Sequence, residues 1–136
     1  MTAMALAEGR TLPFTGPDQI DVAVLETFDY DGPEQEITTE TAEFTAVCPY
    51  SGLPDFARLT ITYVPGRKCV ELKSLKYYVT SFRSVGIFQE HATARIAEDL
   101  FRLLAPKRLR VRTAYNPRGG FETVCMVTLP AGGSGA

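Results

Sequence analysis

The sequence predicts an α+β fold with an antiparallel sheet and helices on one face, and three observations carry that reading. ARLTITYVP alternates cleanly, placing Leu59, Ile61 and Tyr63 on one side of a strand. IFQEHATARIAEDLFRLLAP repeats apolar residues at helical spacing, with Ala92, Ile96, Leu100 and Leu103 as its stripe and Pro106 as its stop. Around them the elements follow the order β-β-α-α-β-β, in which strands cluster at both ends and helices lie between.

In chain order, residues 1–20 hold two prolines and little periodicity, and read as an irregular N-terminal arm. DVAVLETF is expected as a strand and DYDGPEQ as a loop. EITTETAEFTAV is rich in threonine and reads as extended. The alternating strand at 57–65 ends at the Pro65-Gly66 turn, and KCVEL is a short strand leading onward. Residues 73–83 fit strand or helix by pattern, and helix is preferred. LRVRTAY and ETVCMVTL are strands around an NPRGG turn, and AGGSGA reads as a flexible tail. The expected organisation is therefore an arm over 1–20, one domain over 21–130 and a tail over 131–136.

A chain of 136 residues is large enough for one core, and 45% hydrophobic with 22% charged residues is a globular composition. No apolar run reaches the roughly 18 to 20 residues that cross a membrane. The start MTAMALAEGR has no basic n-region or long apolar run, so a cytoplasmic location is expected. Three cysteines without CxxC spacing and one histidine point to free thiols, and give no spacing for a metal site. Residues 1–66 carry eleven acids and two bases, whereas 67–136 carry twelve bases and five acids. A basic half fits phosphate-bearing ligands, but it fits a solvated surface as well.

AVCPYSGLPDF is the stretch with the most chemical content. Cys48 follows a strand and precedes Pro49, Gly52 and Pro54, which restrict the backbone around it. Asp55 lies seven residues on, near enough for the loop to return it to the same place. Two readings stand: a small buried cysteine before a turn, or a thiolate that adds to an unsaturated carbon with Asp55 as its acid. Cys69 and Cys125 lie inside strand-like runs and read as packing residues. Lys73, Lys76 and Arg83, interleaved with Tyr77 and Tyr78, fit either a phosphate-binding face or a solvated helix face.

Five motifs taken together resemble the NADPH-dependent 7-cyano-7-deazaguanine reductases, the nitrile reductases of queuosine biosynthesis. They are FTAVCPYSGLPDF at 44–56, Glu71-Leu72-Lys73-Ser74-Leu75-Lys76-Tyr77, Ser-Phe-Arg at 81–83, Phe-x-Glu at 88–90 and Asn-x-Arg-Gly-Gly at 116–120, in the family's order. The resemblance implies that Cys48 forms a covalent thioimidate with the nitrile and that Asp55 protonates the substrate nitrogen. Two NADPH molecules then carry the nitrile to the amine of 7-aminomethyl-7-deazaguanine. It implies that Glu90 holds the deazaguanine edge, with Val70, Glu71, Leu72 and Gln89 also on the substrate. Lys73, Ser74, Lys76 and Arg118 fall on the cofactor side.

Many members place histidine where this chain has Gln89, and its own His91 follows Glu90 instead. Neighbours on a helix diverge by about 100°, so His91 is expected to be no substitute. The implied fold is the tunnelling fold of GTP cyclohydrolase I, closed into an oligomeric barrel. Short single-module members form rings, often two stacked pentamers with interfacial active sites. Neither a membrane nor direct nucleic-acid binding is expected. Two other readings remain: an amidine-forming relative acting on nitrile-bearing tRNA in archaeosine synthesis, and a non-catalytic purine- or RNA-binding module.

Overall fold

The computed structural model describes residues 5–132; the first four residues and the end of the expected tail, 133–136, lie outside the described residues. Strands β2 (Ile37–Val47), β3 (Pro54–Val64), β5 (Arg108–Tyr115) and β6 (Val124–Leu129) form one antiparallel sheet in the order β2-β3-β5-β6. Helices α1 (Leu72–Thr80) and α2 (Gln89–Leu104) are inserted between its two halves. These six elements reproduce the β-β-α-α-β-β order. A second, two-stranded sheet joins β1 (Thr27–Asp29) to β4 (Lys68–Val70).

The alternation of β3 does what its sequence implies. Leu59, Ile61 and Tyr63 are buried with Leu109 and Val111 of β5 against the helices. The other face carries Thr38, Glu40, Arg58, Thr60, Arg110 and Arg112, as befits a sheet with one dry side. On α2, Ala92, Ile96 and Leu100 have no exposure, and Leu104 rather than Leu103 completes the stripe at one-turn spacing. The helix ends as Ala105 takes a left-handed conformation before Pro106.

Residues 73–83 are helical at their start, where the Glu71 carboxylate accepts the Lys73 and Ser74 amides and so caps α1. Tyr78 of α1 donates to Asp99 of α2 at 2.7 Å, and Arg95 donates to the same carboxylate at 2.8 Å. Burial and this anion push the Tyr78 phenol well above its ordinary value. The two helices are thus locked by a satisfied buried pair.

The expected strand over 21–28 is corrected. A 3-10 turn occupies Val22–Val24, and only Thr27–Asp29 is strand. Its alternation is used otherwise: Ile20 and Leu25 are buried, and Val22 and Val24 pack against the core. The Asp21 amide donates not to a strand partner but to the Ser81 hydroxyl, at 3.0 Å. The charge asymmetry is partly consumed inside the chain. Lys107 pairs with Glu34, Arg108 with Glu36 and Arg58 with Glu40, each on the surface.

Candidate active site

The β2–β3 hairpin brings Cys48 and Asp55 together more directly than a long loop does. Asp55 is already in β3, where it pairs with Ala46 of β2. The connecting turn closes on itself: the Cys48 amide donates to the Leu53 carbonyl at 2.9 Å, and the Gly52 amide to the Cys48 carbonyl at 2.8 Å. Gly52 has φ of +74°, a conformation that glycine adopts without the cost other residues incur.

The Cys48 thiol is half-buried, and its acidity is set by opposing influences. Burial pushes its pKa up, but the Tyr50 and Ser51 amides, the Ser51 hydroxyl and the Arg118 guanidinium all favour the thiolate. The balance leaves it below the ordinary thiol value. That combination of partial exposure and convergent donors is what makes a cysteine reactive. Cys69, by contrast, is buried in β4.

Asp55 is buried, and its carboxylate accepts from Arg118. Arg118 comes from the turn after β5, where its amide and carbonyl both bond Phe121 across 2.9 Å. Gly119 and Gly120 supply the positive φ values, 57° and 84°, that so tight a reversal requires. The Asn116 amide ties this turn to the Phe56 carbonyl at 2.9 Å, beside Asp55.

Gln89 and Glu90 open α2 and face the same cleft, whose volume is ≈ 500 Å³. A carboxylate in the first turn is favoured by the helix dipole. The turn itself is pinned: Thr93 donates to the Gln89 carbonyl at 2.9 Å and shares a 2.6 Å hydrogen bond with Thr113 of β5. Phe88 and Phe121 add apolar walls. His91 is exposed, stacks edge-on against Phe88 and does not line the cleft.

The other predicted residues lie elsewhere in the chain. Leu72 and Lys76 line a separate groove of ≈ 440 Å³ between α1 and β2, with Arg83 at its end. Val70 is buried in β4, its amide donating to the Tyr63 hydroxyl at 3.1 Å. Glu71 is occupied in capping α1, and the Ser74 hydroxyl is used twice, donating to the Glu71 carbonyl at 2.7 Å and accepting the Glu26 amide at 3.0 Å. Lys73 and Lys76 are exposed and take part in no ion pair among the described residues.

The sequence reading put Cys48, Asp55, Gln89 and Glu90 on the catalytic and substrate side and Arg118 on the cofactor side, and the cleft contains all five. It passed over Ser51, Phe88, Asn116 and Phe121. Ser51, Phe88 and Asn116 each stood in a motif already singled out, and Phe121 directly follows one.

Comparison with known proteins yields a consistent set of relatives. A family model described as QueF-like protein matches residues 54–131. Proteins of Thermotoga petrophila and Thermotoga maritima, each named NADPH-dependent 7-cyano-7-deazaguanine reductase, are 57% identical over 121 residues, covering 88% of this chain and 88% of theirs. The protein of the same name from Caldicellulosiruptor bescii is 52% identical over 116 residues, covering 84% and 88%. The crystal structure of the archaeosine synthase QueF-Like in the apo form superposes with a TM-score of 0.62 at 19% identity, over 73% of this chain and 95% of that one. That likeness is one of fold.

Proposed function

This chain belongs to the family of NADPH-dependent 7-cyano-7-deazaguanine reductases, and on that premise we propose that it reduces the nitrile of 7-cyano-7-deazaguanine to a primary amine through a covalent thioimidate on Cys48, within queuosine biosynthesis. The observation that carries this reading is the opening of Cys48, the Asp55–Arg118 pair and Glu90 onto one cleft.

Glu90 accepts two parallel hydrogen bonds from the amino and ring N–H edge of the deazaguanine, while Gln89 offers a neutral hydrogen-bonding group beside it. Phe88 and Phe121 flank the ring. The Cys48 thiol passes its proton to Asp55, and the thiolate adds to the nitrile carbon. A C–S bond forms, one C–N π bond breaks, and the nitrogen takes the proton back from Asp55. NADPH, when bound, would supply the reducing hydrides, roughly two per nitrile because the conversion takes four electrons. Cys48 would leave as the thiolate after the first reduction, freeing the sulfur for the next turnover. Asp55, reprotonated from water, would deliver the next proton to the nitrogen as the carbon is reduced.

Lys73 and Lys76 hold the cofactor phosphates, with the α1 groove beside them. In one chain this groove is separate from the cleft, and strands β2 and β6 end the sheet without a further partner among the described residues. A neighbouring copy that pairs with a sheet edge brings a groove and a cleft together, which supports an oligomeric barrel with interfacial sites. The 57% identity with the reductases, set beside 19% with the archaeosine synthase, favours reduction over amidine formation.

Incubation with 7-cyano-7-deazaguanine followed by mass spectrometry tests the reading. The Cys48 peptide should gain the mass of the nitrile, and added NADPH should discharge it as the amine. An unlabelled Cys48 refutes covalent capture. A stable adduct that never oxidises NADPH moves the assignment to amidine formation.

A further inference from the structure

Residues 12–15 of the N-terminal arm run beside the Cys48 hairpin, and the proposed chemistry leaves them without a role. The Leu12 amide donates to the Ser51 carbonyl at 2.8 Å. The Leu12 carbonyl lies 2.2 Å from where a Cβ on Gly52 would stand, so only glycine admits the arm this close. Phe14 covers Gly86 equally tightly, with a ring carbon 2.2 Å from the corresponding point. The Thr15 amide and hydroxyl bind the Ser84 carbonyl at 2.8 and 3.0 Å, and the Gly86 amide returns to the Thr15 carbonyl at 2.8 Å. On its other side the same segment exchanges hydrogen bonds with Val47, at 3.0 Å through Val85 and 3.1 Å through Ile87. Thr15, residues 84–87 and Val47 thus form a small parallel ladder that ends one residue before Cys48.

The Ser51–Gly52 peptide is consequently held at both ends. Its carbonyl accepts from Leu12, and its N–H donates to the Cys48 carbonyl. A peptide unit is planar, so gripping both groups fixes its orientation. The Ser51 amide and hydroxyl are among the groups that favour the Cys48 thiolate.

We infer that the arm is a positioning element for Cys48, with the Leu12 amide holding the Ser51–Gly52 turn in the form that supports the thiolate. This rests on Cys48 being the reacting group. The charged groups facing the sulfur's cleft are Asp55 from β3, Glu90 from α2 and Arg118 from the β5–β6 turn. Residues 11–16, TLPFTG, contain no ionisable side chain, so the arm acts through the geometry of the turn.

The test is the pH dependence of Cys48 alkylation by iodoacetamide in full-length protein, followed on the Cys48 peptide by mass spectrometry. Leu12→Pro removes the donor and suits a site that already precedes Pro13 and is therefore extended. Leu12→Ala keeps the donor. Leu12→Ala should follow the wild-type profile. Leu12→Pro should shift its midpoint upward and alkylate more slowly at pH 7, by roughly three- to tenfold. A Leu12→Pro profile that superposes on wild type overturns the inference. Should that variant fail to fold by circular dichroism, Phe14→Ala loosens the same arm while keeping every backbone donor; its midpoint should rise, and an unmoved one is equally fatal. Iodoacetamide reads the thiolate directly. Wild-type protein that alkylates with a depressed midpoint yet forms no nitrile adduct therefore refutes the reductase chemistry and leaves the arm's role intact.

Discussion

Arg118 donates to the Asp55 carboxylate while its guanidinium also supports the Cys48 thiolate. The Asp55 side chain is 5% exposed and the Arg118 side chain 47%, so the anion is enclosed and the cation reaches water. One cation thereby serves two acidic groups. Moving a proton from the thiol to the carboxylate exchanges one anion for the other under the same positive charge. In the proposed chemistry that transfer would arm the nucleophile and the acid in a single step, without altering the net charge of the cleft.

Removing Arg118 should therefore disturb the adduct step and not cofactor binding alone. Arg118→Ala should slow capture of the nitrile by about ten- to a hundredfold, equivalent to roughly 1.4 to 2.7 kcal/mol at the barrier. The fold should lose stability as well, by about 1 to 3 kcal/mol, because the enclosed Asp55 carboxylate is left without its partner. Arg118→Lys keeps the charge but not the planar fork, and should fall between the two. Single-turnover mass spectrometry of Cys48 without NADPH isolates this step. An unchanged capture rate there assigns Arg118 to the cofactor only.

Asp55→Asn keeps the shape of the side chain and removes its capacity to carry the proton. Adduct formation should slow by about a hundred- to ten-thousandfold. Affinity for a deazaguanine without the nitrile should stay within about threefold, since the proton acts in the transition state. Isothermal calorimetry beside the capture rate separates the two, and a matched loss in both makes Asp55 a binding residue.

The depressed pKa of Cys48 sets the pH response. The folded state favours the thiolate, so capture should remain fast as pH falls below the ordinary thiol value, and decline only through the lower folded value. The linked stability has the same sign. It is fully present above the unfolded pKa and is lost as pH falls through the folded one. Ser51→Ala removes one of the hydroxyl and amide donors and should move the decline in capture upward in pH. A Ser51→Ala profile identical to wild type would show that the backbone amides and Arg118 suffice.

The sequence displayed those features whose causes are local. Alternation in β3 and the turn-spaced stripe of α2 declare themselves because each is a repeat along a few residues, and even there the last contact falls on Leu104 instead of Leu103. The segment at 21–28 misled because the same alternating pattern fits a strand or a turn lying across α1, and the distant Ser81 and Ser74 hydroxyls, which take the Asp21 and Glu26 amides, favour the turn. Cys48, Asp55 and Glu90 were legible through motifs. The Arg118–Asp55 contact spans 63 residues and depends on how two turns meet, which no spacing reveals. Leu12 was invisible for a further reason: it acts through a backbone amide, and its side chain says nothing about that.

The start of α1 offers a separation between holding the fold and holding the cofactor. Glu71 caps the helix through two amides, at 2.9 and 2.7 Å, whereas Lys76 projects from its surface without an ion-pair partner among the described residues. Glu71→Ala should lower the melting temperature by roughly a few degrees, as the loss of a helix cap does. Its KM for NADPH should rise as well, because Lys73 and Lys76 ride on the turn that loosens. Lys76→Ala touches nothing that holds the fold, so its stability should stay within about 0.5 kcal/mol of wild type. Its KM for NADPH should nevertheless rise about tenfold, the worth of one charge-assisted phosphate contact, while capture of the nitrile without NADPH proceeds at the wild-type rate. Thermal melts and steady-state kinetics on the pair distinguish the cases. A Lys76→Ala variant with an unaltered KM removes α1 from the cofactor site, and the phosphates must then be sought elsewhere on the basic half of the chain.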